Sequence, residues 1–190
     1  MDEDFFKIIL VEFIEVLIHQ IIKLNRIYPD GIFGKRRKYD LALFMSEHPQ
    51  VNEFIKEITE GINKKLSDPG ADIEGVALVI SRENKPDKKF RLTFPGFKNM
   101  KIDEDTDPEV EADIMESLDI NFSSLLLRLA EVMKGLRQAE KEDVERREKR
   151  EWWVQVEPAL SGQTEREGVL LSVFDFNEPF PLQLELETYR

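Results

Sequence analysis

Between Phe5 and Leu24 the chain places apolar side chains around most of a helical circumference: Phe6, Ile9, Leu10, Phe13, Ile14, Leu17, Ile18, Ile21 and Leu24. Glu12, Glu15, His19 and Lys23 form one polar stripe at three- and four-residue spacing. A helix with so narrow a wetted face belongs at the centre of its domain, packed between a sheet and other helices. The same polar residues rule it out as an uninterrupted bilayer span, where charges are too costly. Asp2 or Asp4 can cap its start. With nothing to supply a second ligand, His19 reads as a structural or surface histidine.

Pro29 and Gly31 end this helix and turn the chain. The run Lys35-Arg36-Arg37-Lys38 reads as a solvated loop or as a contact for an acidic partner or a phosphate. Leu41, Leu43 and Met45 mark a short strand. Pro49 suits the first turn of a second helix carrying Val51, Phe54, Ile55, Ile58, Ile62 and Leu66, which stops at Ser67-Asp68-Pro69-Gly70. Gly61 weakens that helix by roughly 1 kcal/mol relative to alanine.

Val76 to Ser81 is a buried strand rich in β-branched residues. After a turn at Asn84 to Asp87, Phe90, Leu92 and Phe94 alternate with Lys89, Arg91 and Thr93, the pattern of a half-exposed antiparallel partner.

Pro95 to Pro108 is a loop in which Asp103, Glu104, Asp105 and Asp107 cluster. They lack the ligand spacing and glycine of a calcium loop, so a solvated loop is expected. A third helix from Pro108 carries Val110, Ile114, Leu118, Leu125, Leu126, Leu129, Met133 and Leu136, with a break expected near Asp119 to Ser123. Glu140 to Glu151 is almost entirely charged, either a solvated helix extension or a linker. Trp152 to Val156, Val169 to Phe176 and Leu182 to Glu187 then alternate short strands with loops.

Composition narrows the chemistry. In 190 residues there are no cysteines and two histidines, so disulfides, thiolate zinc sites, cysteine nucleophiles and histidine-rich metal sites are excluded. The net charge of −12 argues against nucleic-acid binding by the whole surface. No glycine-rich phosphate loop is present, and the scattered carboxylates are ordinary for so acidic a chain, so an enzyme is not expected. Neither a secretory signal nor a membrane span is read, which points to a cytosolic or nuclear chain.

Three blocks resemble the DNA polymerase zeta accessory subunits, the mitotic-arrest-deficient-like branch of the HORMA-domain family. The first is Glu12-Phe13-Ile14-Glu15-Val16 with His19 downstream. The second joins Tyr28-Pro29, Gly31-Ile32-Phe33, Lys35 to Tyr39, Met45-Ser46 and His48-Pro49. The third is the hairpin from Val76 to Phe94. The resemblance covers roughly the first half of the chain.

This resemblance implies an α+β fold, a HORMA-like antiparallel sheet backed by three helices, with no enzymatic activity and no cofactor. Residues 1–190 would form one HORMA domain: a core at 1–139, a charged connection at 140–151 and a C-terminal safety belt at 152–190. The belt crosses an extended partner peptide and traps it against the sheet by strand addition. Carried over by position, Phe54 lies beside the peptide, Trp153 covers it, and Gln183 and Leu184 close over it, with Val169 and Leu171 in the preceding strand. A second surface, on the third helix, pairs HORMA proteins with themselves or one another. Arg128 matches its arginine, with Lys35 and Ala139 in the same pattern. Arg26 stands where relatives carry an acid, and Glu185 where a belt aromatic is expected. The family has a further strand after the third helix. Either Trp152 to Val156 supplies it, or it is absent; the paired tryptophans before Glu157-Pro158 look like the belt's start and favour its absence.

The implied function is a nuclear adaptor in translesion DNA synthesis and the DNA damage response. It would capture a proline-containing peptide of the polymerase zeta catalytic subunit and bridge to the scaffold Y-family translesion polymerase. One alternative is a checkpoint or meiotic HORMA adaptor with another client. Another is a phosphopeptide or nucleic-acid module using residues 35–38, which would bind with steep salt dependence.

Overall fold

In a computed structural model of the chain, which describes residues 3–71, 73–95, 107–139, 150–158, 169–176 and 181–189, the first helix, α1 (Glu3–Leu24), is the centre of the molecule. Around a cavity of about 20 Å³, Ile14, Leu17, Ile18 and Ile21 meet Val76, Leu78, Phe90, Leu92 and Val154 of a sheet. On another side Phe13 stacks on Phe122 of a third helix, ring centroids 4.0 Å apart. The narrow polar stripe thus has the burial its pattern demands, and even His19 and Gln20 are buried.

Strands β1 (Phe33–Lys38) and β2 (Leu41–Ser46) form a separate antiparallel hairpin. Its two-residue turn holds Tyr39 and Asp40 at positive φ, as the twist of such a hairpin requires. The basic run is therefore a strand and not a loop. The free side of β2 is met by α1: Gln20 Nε2 donates to the Phe44 carbonyl at 2.7 Å, and the Ser46 amide donates to His19 Nδ1 at 3.2 Å. Helix α2 (Pro49–Leu66) buries Val51, Ile55, Thr59, Ile62 and Leu66 along one stripe, with Pro49 in its first turn as expected.

Among the described residues the main sheet has five antiparallel strands in the order β5-β3-β4-β7-β6. Strands β3 (Ile73–Arg82) and β4 (Lys85–Thr93) are the expected hairpin, but its turn sits at Glu83 and Asn84, both at positive φ. Helix α3 (Pro108–Ala139) follows without a break. Leu118, Phe122 and Leu125 make a continuous buried stripe through the suspected interruption, so packing overrides the weak local propensity there.

The strand judged absent is present. β5 (Arg150–Pro158) pairs with β3 from Arg82↔Arg150 to Ile73↔Pro158, so Trp152 to Val156 belong to the sheet. Alternation on a nine-residue strand, with Trp152 buried toward the helices, favours pairing over a crossing segment. β6 (Val169–Phe176) and β7 (Leu182–Thr188) form the last hairpin, and β7 docks on β4 through Phe90↔Leu186 and Leu92↔Leu184. Asp103, Glu104 and Asp105 lie outside the described residues, as does Asp2; Asp4 falls inside α1. No described helix is long and apolar enough to cross a membrane.

Candidate functional site

β5 is hydrogen-bonded to β3 on one side and, among the described residues, ends the sheet on the other. Alternation sends successive side chains to opposite faces, and the two tryptophans exploit this. Trp152 turns toward the helices, where its Nε1 donates to the Tyr28 hydroxyl at 3.1 Å. Phe54 of α2 meets it edge-to-face, centroids 5.1 Å apart at 70°. Phe54 is nonetheless 41% exposed, and Trp153, on the opposite face, is 37% exposed. An open backbone edge is thus bracketed by aromatic surface above and below, the arrangement that accepts an extended chain and reads its alternate side chains.

The remaining expected peptide contacts are elsewhere. Gln183 and Leu184 lie in β7, between β4 and β6, and Leu184 is fully buried opposite Leu92. Gln183 Nε2 donates to Glu185 Oε1 at 3.4 Å. Val169 and Leu171 lie on the backbone of β6, paired with Thr188 and Leu186; their side chains fall outside the described set. Three strand spacings, about 14 Å, separate β7 from β5. The structure brings Phe54 and Trp153 to one end of the sheet and places the other four at the opposite end.

Of the expected pairing residues, Arg26, Lys35 and Arg128 are exposed, while the Ala139 side chain is outside the described set. Arg128 donates to Glu131 at 3.1 Å. On the same helix Ile120 and Leu127, one heptad apart, are 56% and 55% exposed.

The basic strand is largely neutralised by its own fold. Arg36 pairs with Glu47 at 3.1 Å, Arg37 with Asp40 at 3.0 Å, and Lys38 with Glu12. Lys35 lies 5.9 Å from the Phe44 ring centre. Burial holds the His19 pKa down to about 4, so it is a neutral structural acceptor. Burial, then the nearby Asp40 and Glu12 carboxylates, pushes the Asp119 carboxyl up. Among the described residues no group of three or more His, Asp or Glu could hold a metal ion.

Sequence reasoning missed Trp152 and Tyr28 as part of this edge. The signal was available: adjacent tryptophans on a strand put one ring on each face.

No family model matches the chain. It is 39% identical over 98 residues to the mitotic spindle assembly checkpoint protein MAD2B of Homo sapiens, a match covering 50% of this chain and 46% of that protein. It is 32% identical over 80 residues to the DNA polymerase zeta processivity subunit of Schizosaccharomyces pombe, covering 42% and 37% respectively. The matched stretches thus span about half or less of the curated relatives' own length. Among solved structures, a chain of a mitotic checkpoint complex superposes with a TM-score of 0.75 at 14% identity, covering 100% of this chain and 98% of that one. The Caenorhabditis elegans protein HTP-2, bound to a HIM-3 closure motif, superposes with a TM-score of 0.63 at 8% identity, covering 98% and 91%. The chain thus has a HORMA-like fold, and over about half its length it is similar in sequence to MAD2B and to the polymerase zeta processivity subunits.

Proposed function

We propose that the chain is a non-catalytic adaptor that captures an extended peptide as an added strand on the open edge of β5. The observation that carries this reading is the bracketed edge itself: Phe54 and Trp152 on the helical face, Trp153 on the other. β5 and β6 end the sheet on opposite sides, so the chain between Pro158 and Val169 joins its two ends. In this reading the belt begins after Pro158, and the β6–β7 hairpin anchors its far end. Gln183, Leu184, Val169 and Leu171 then hold the belt in place and do not touch the client.

The client would be a proline-containing peptide of the polymerase zeta catalytic subunit. The adaptor would bridge it to a scaffold Y-family polymerase in the nucleus, during translesion synthesis. What supports this is that two of the relatives, from Schizosaccharomyces pombe and Arabidopsis thaliana, are DNA polymerase zeta processivity subunits. Calorimetry with that peptide is the test: Trp153→Ala should weaken binding by about 2 kcal/mol or more, the range of interface hot spots. Unchanged affinity in a folded variant would reject the edge.

A checkpoint or meiotic adaptor using the same edge is the second reading, favoured by the MAD2B relatives and by a structural neighbour bound to a closure motif. Which stable partner co-purifies from nuclear extract separates the two. The exposed Ile120 and Leu127 on the helix that carries Arg128 support a pairing face on α3. Arg128→Ala should lower the mass seen by light scattering at high protein concentration without changing peptide affinity.

A further inference from the structure

On the face of the sheet turned away from α1, four charged side chains meet in a line across the strands. Lys89 Nζ lies 2.5 Å from Glu157 Oε1, Arg91 Nε lies 2.5 Å from Glu157 Oε2, and Arg91 NH1 lies 3.7 Å from Glu185 Oε2. Their side chains are only 10–15% exposed. Lys89 and Arg91 belong to β4, Glu157 to β5 and Glu185 to β7, so Glu157 has to reach across β3 to make its pairs.

It can do so because β3 offers no bulk there. Gly75 is the register partner of Glu157, and Ala77 that of Arg91. A Cβ on Gly75 would lie 2.8 Å from the Leu92 carbonyl oxygen, so a larger residue is barred by backbone. The expected half-exposed polar face of β4 is instead a buried ionic seam with two cations and two of its carboxylates in balance.

Arg91 therefore contacts both β5, the strand before the long connection, and β7, the strand in the hairpin after it. A buried ion pair adds little net stability compared with apolar packing, but losing one partner leaves a charge without compensation and is strongly destabilising. Detaching β7 takes Glu185 from Arg91, and disturbing β5 takes Glu157 from the same guanidinium. We infer that Arg91 is a coupling residue that makes detachment of the β6–β7 hairpin depend on the state of β5, at the opposite end of the sheet. This holds whether or not β5 accepts a peptide.

Hydrogen–deuterium exchange on the full chain tests it, comparing wild type, Glu157→Gln, Arg91→Gln, Arg91→Lys and the double variant Glu157→Gln/Arg91→Gln. Glu157→Gln should slow exchange of the β7 amides by about tenfold, because detaching β7 would then leave Arg91 with neither carboxylate, although Glu157 itself is paired to β4, while the β1–β2 amides keep their rates. Adding it to Arg91→Gln should leave β7 exchange as it is in Arg91→Gln alone. Arg91→Lys, which keeps the charge but loses the fork, should protect β7 less than arginine does, and it serves as the reference if Arg91→Gln does not fold. The inference is overturned if Glu157→Gln leaves β7 exchange unchanged. It is equally overturned if all elements accelerate alike, since that would mark a loss of global stability.

Discussion

His19 accepts a hydrogen bond from the Ser46 amide at Nδ1 and is 2% exposed, and burial lowers its pKa from 6.5 to about 4. The unfolded chain therefore takes up a proton at this residue before the folded one does. Its contribution to stability is whole above pH 6.5 and is lost as the pH falls toward 4. Between pH 6.5 and 5 this loss should reach about 2 kcal/mol. Urea unfolding at both pH values should show that fall in the wild type, and a smaller one in His19→Asn. At this scale the sequence allowed two roles for the residue and could not choose between them. The amide that decides it is 27 positions away and is brought near only when β2 docks on α1. Phe54 and Trp153 were assigned to one site only through the family resemblance, since Phe54 fits the apolar spacing of α2 and nothing in its local pattern sets it apart. Their neighbour Tyr28 was not, because nothing local marks its hydroxyl as the acceptor for Trp152.

Elements with strong local periodicity were legible and those defined by their neighbours were not. α2 and the β3–β4 hairpin follow from spacing alone, and α1 from its nearly complete apolar girdle. The weak stretch at Asp119 to Ser123 stays helical because Phe122 stacks on Phe13, a contact the local sequence does not encode. β5 was harder still: alternation identifies a strand and its two faces, but gives no information on which strand lies beside it. The C-terminus of α1 shows how distant segments complete an element. The Ile21, Ile22 and Lys23 carbonyls accept from amides just past the helix, whereas Leu24 accepts from Arg137 of α3 and Asn25 from Arg150 of β5 at 2.5 Å. Both cations also sit at the negative end of the helix dipole. Arg150→Gln should lower the unfolding free energy by roughly 1–2 kcal/mol, measured as a lower urea midpoint with an unchanged slope.

For the molecule as a whole, the net charge of −12 and the internal pairing of the basic strand work against phosphate binding. Client-peptide affinity should accordingly change less than about threefold between 50 and 200 mM salt, whereas a nucleic-acid module making several phosphate contacts would lose orders of magnitude. The sheet is completed from a distance. Leu182, Leu184 and Leu186 of β7 are buried, and two of them cover Phe90 and Leu92. Removing residues 169–190 should uncover that surface and make the remainder aggregate on gentle heating, visible as turbidity well below the wild-type melting temperature. The order of the strands also bears on how the protein is born. β4 waits for β7, and almost ninety residues must be translated between Thr93 and Leu182 before the waiting edge can be closed. At a synthesis rate of about 5–20 residues per second, that edge stays open to chaperones, or to a neighbouring nascent chain, for several seconds.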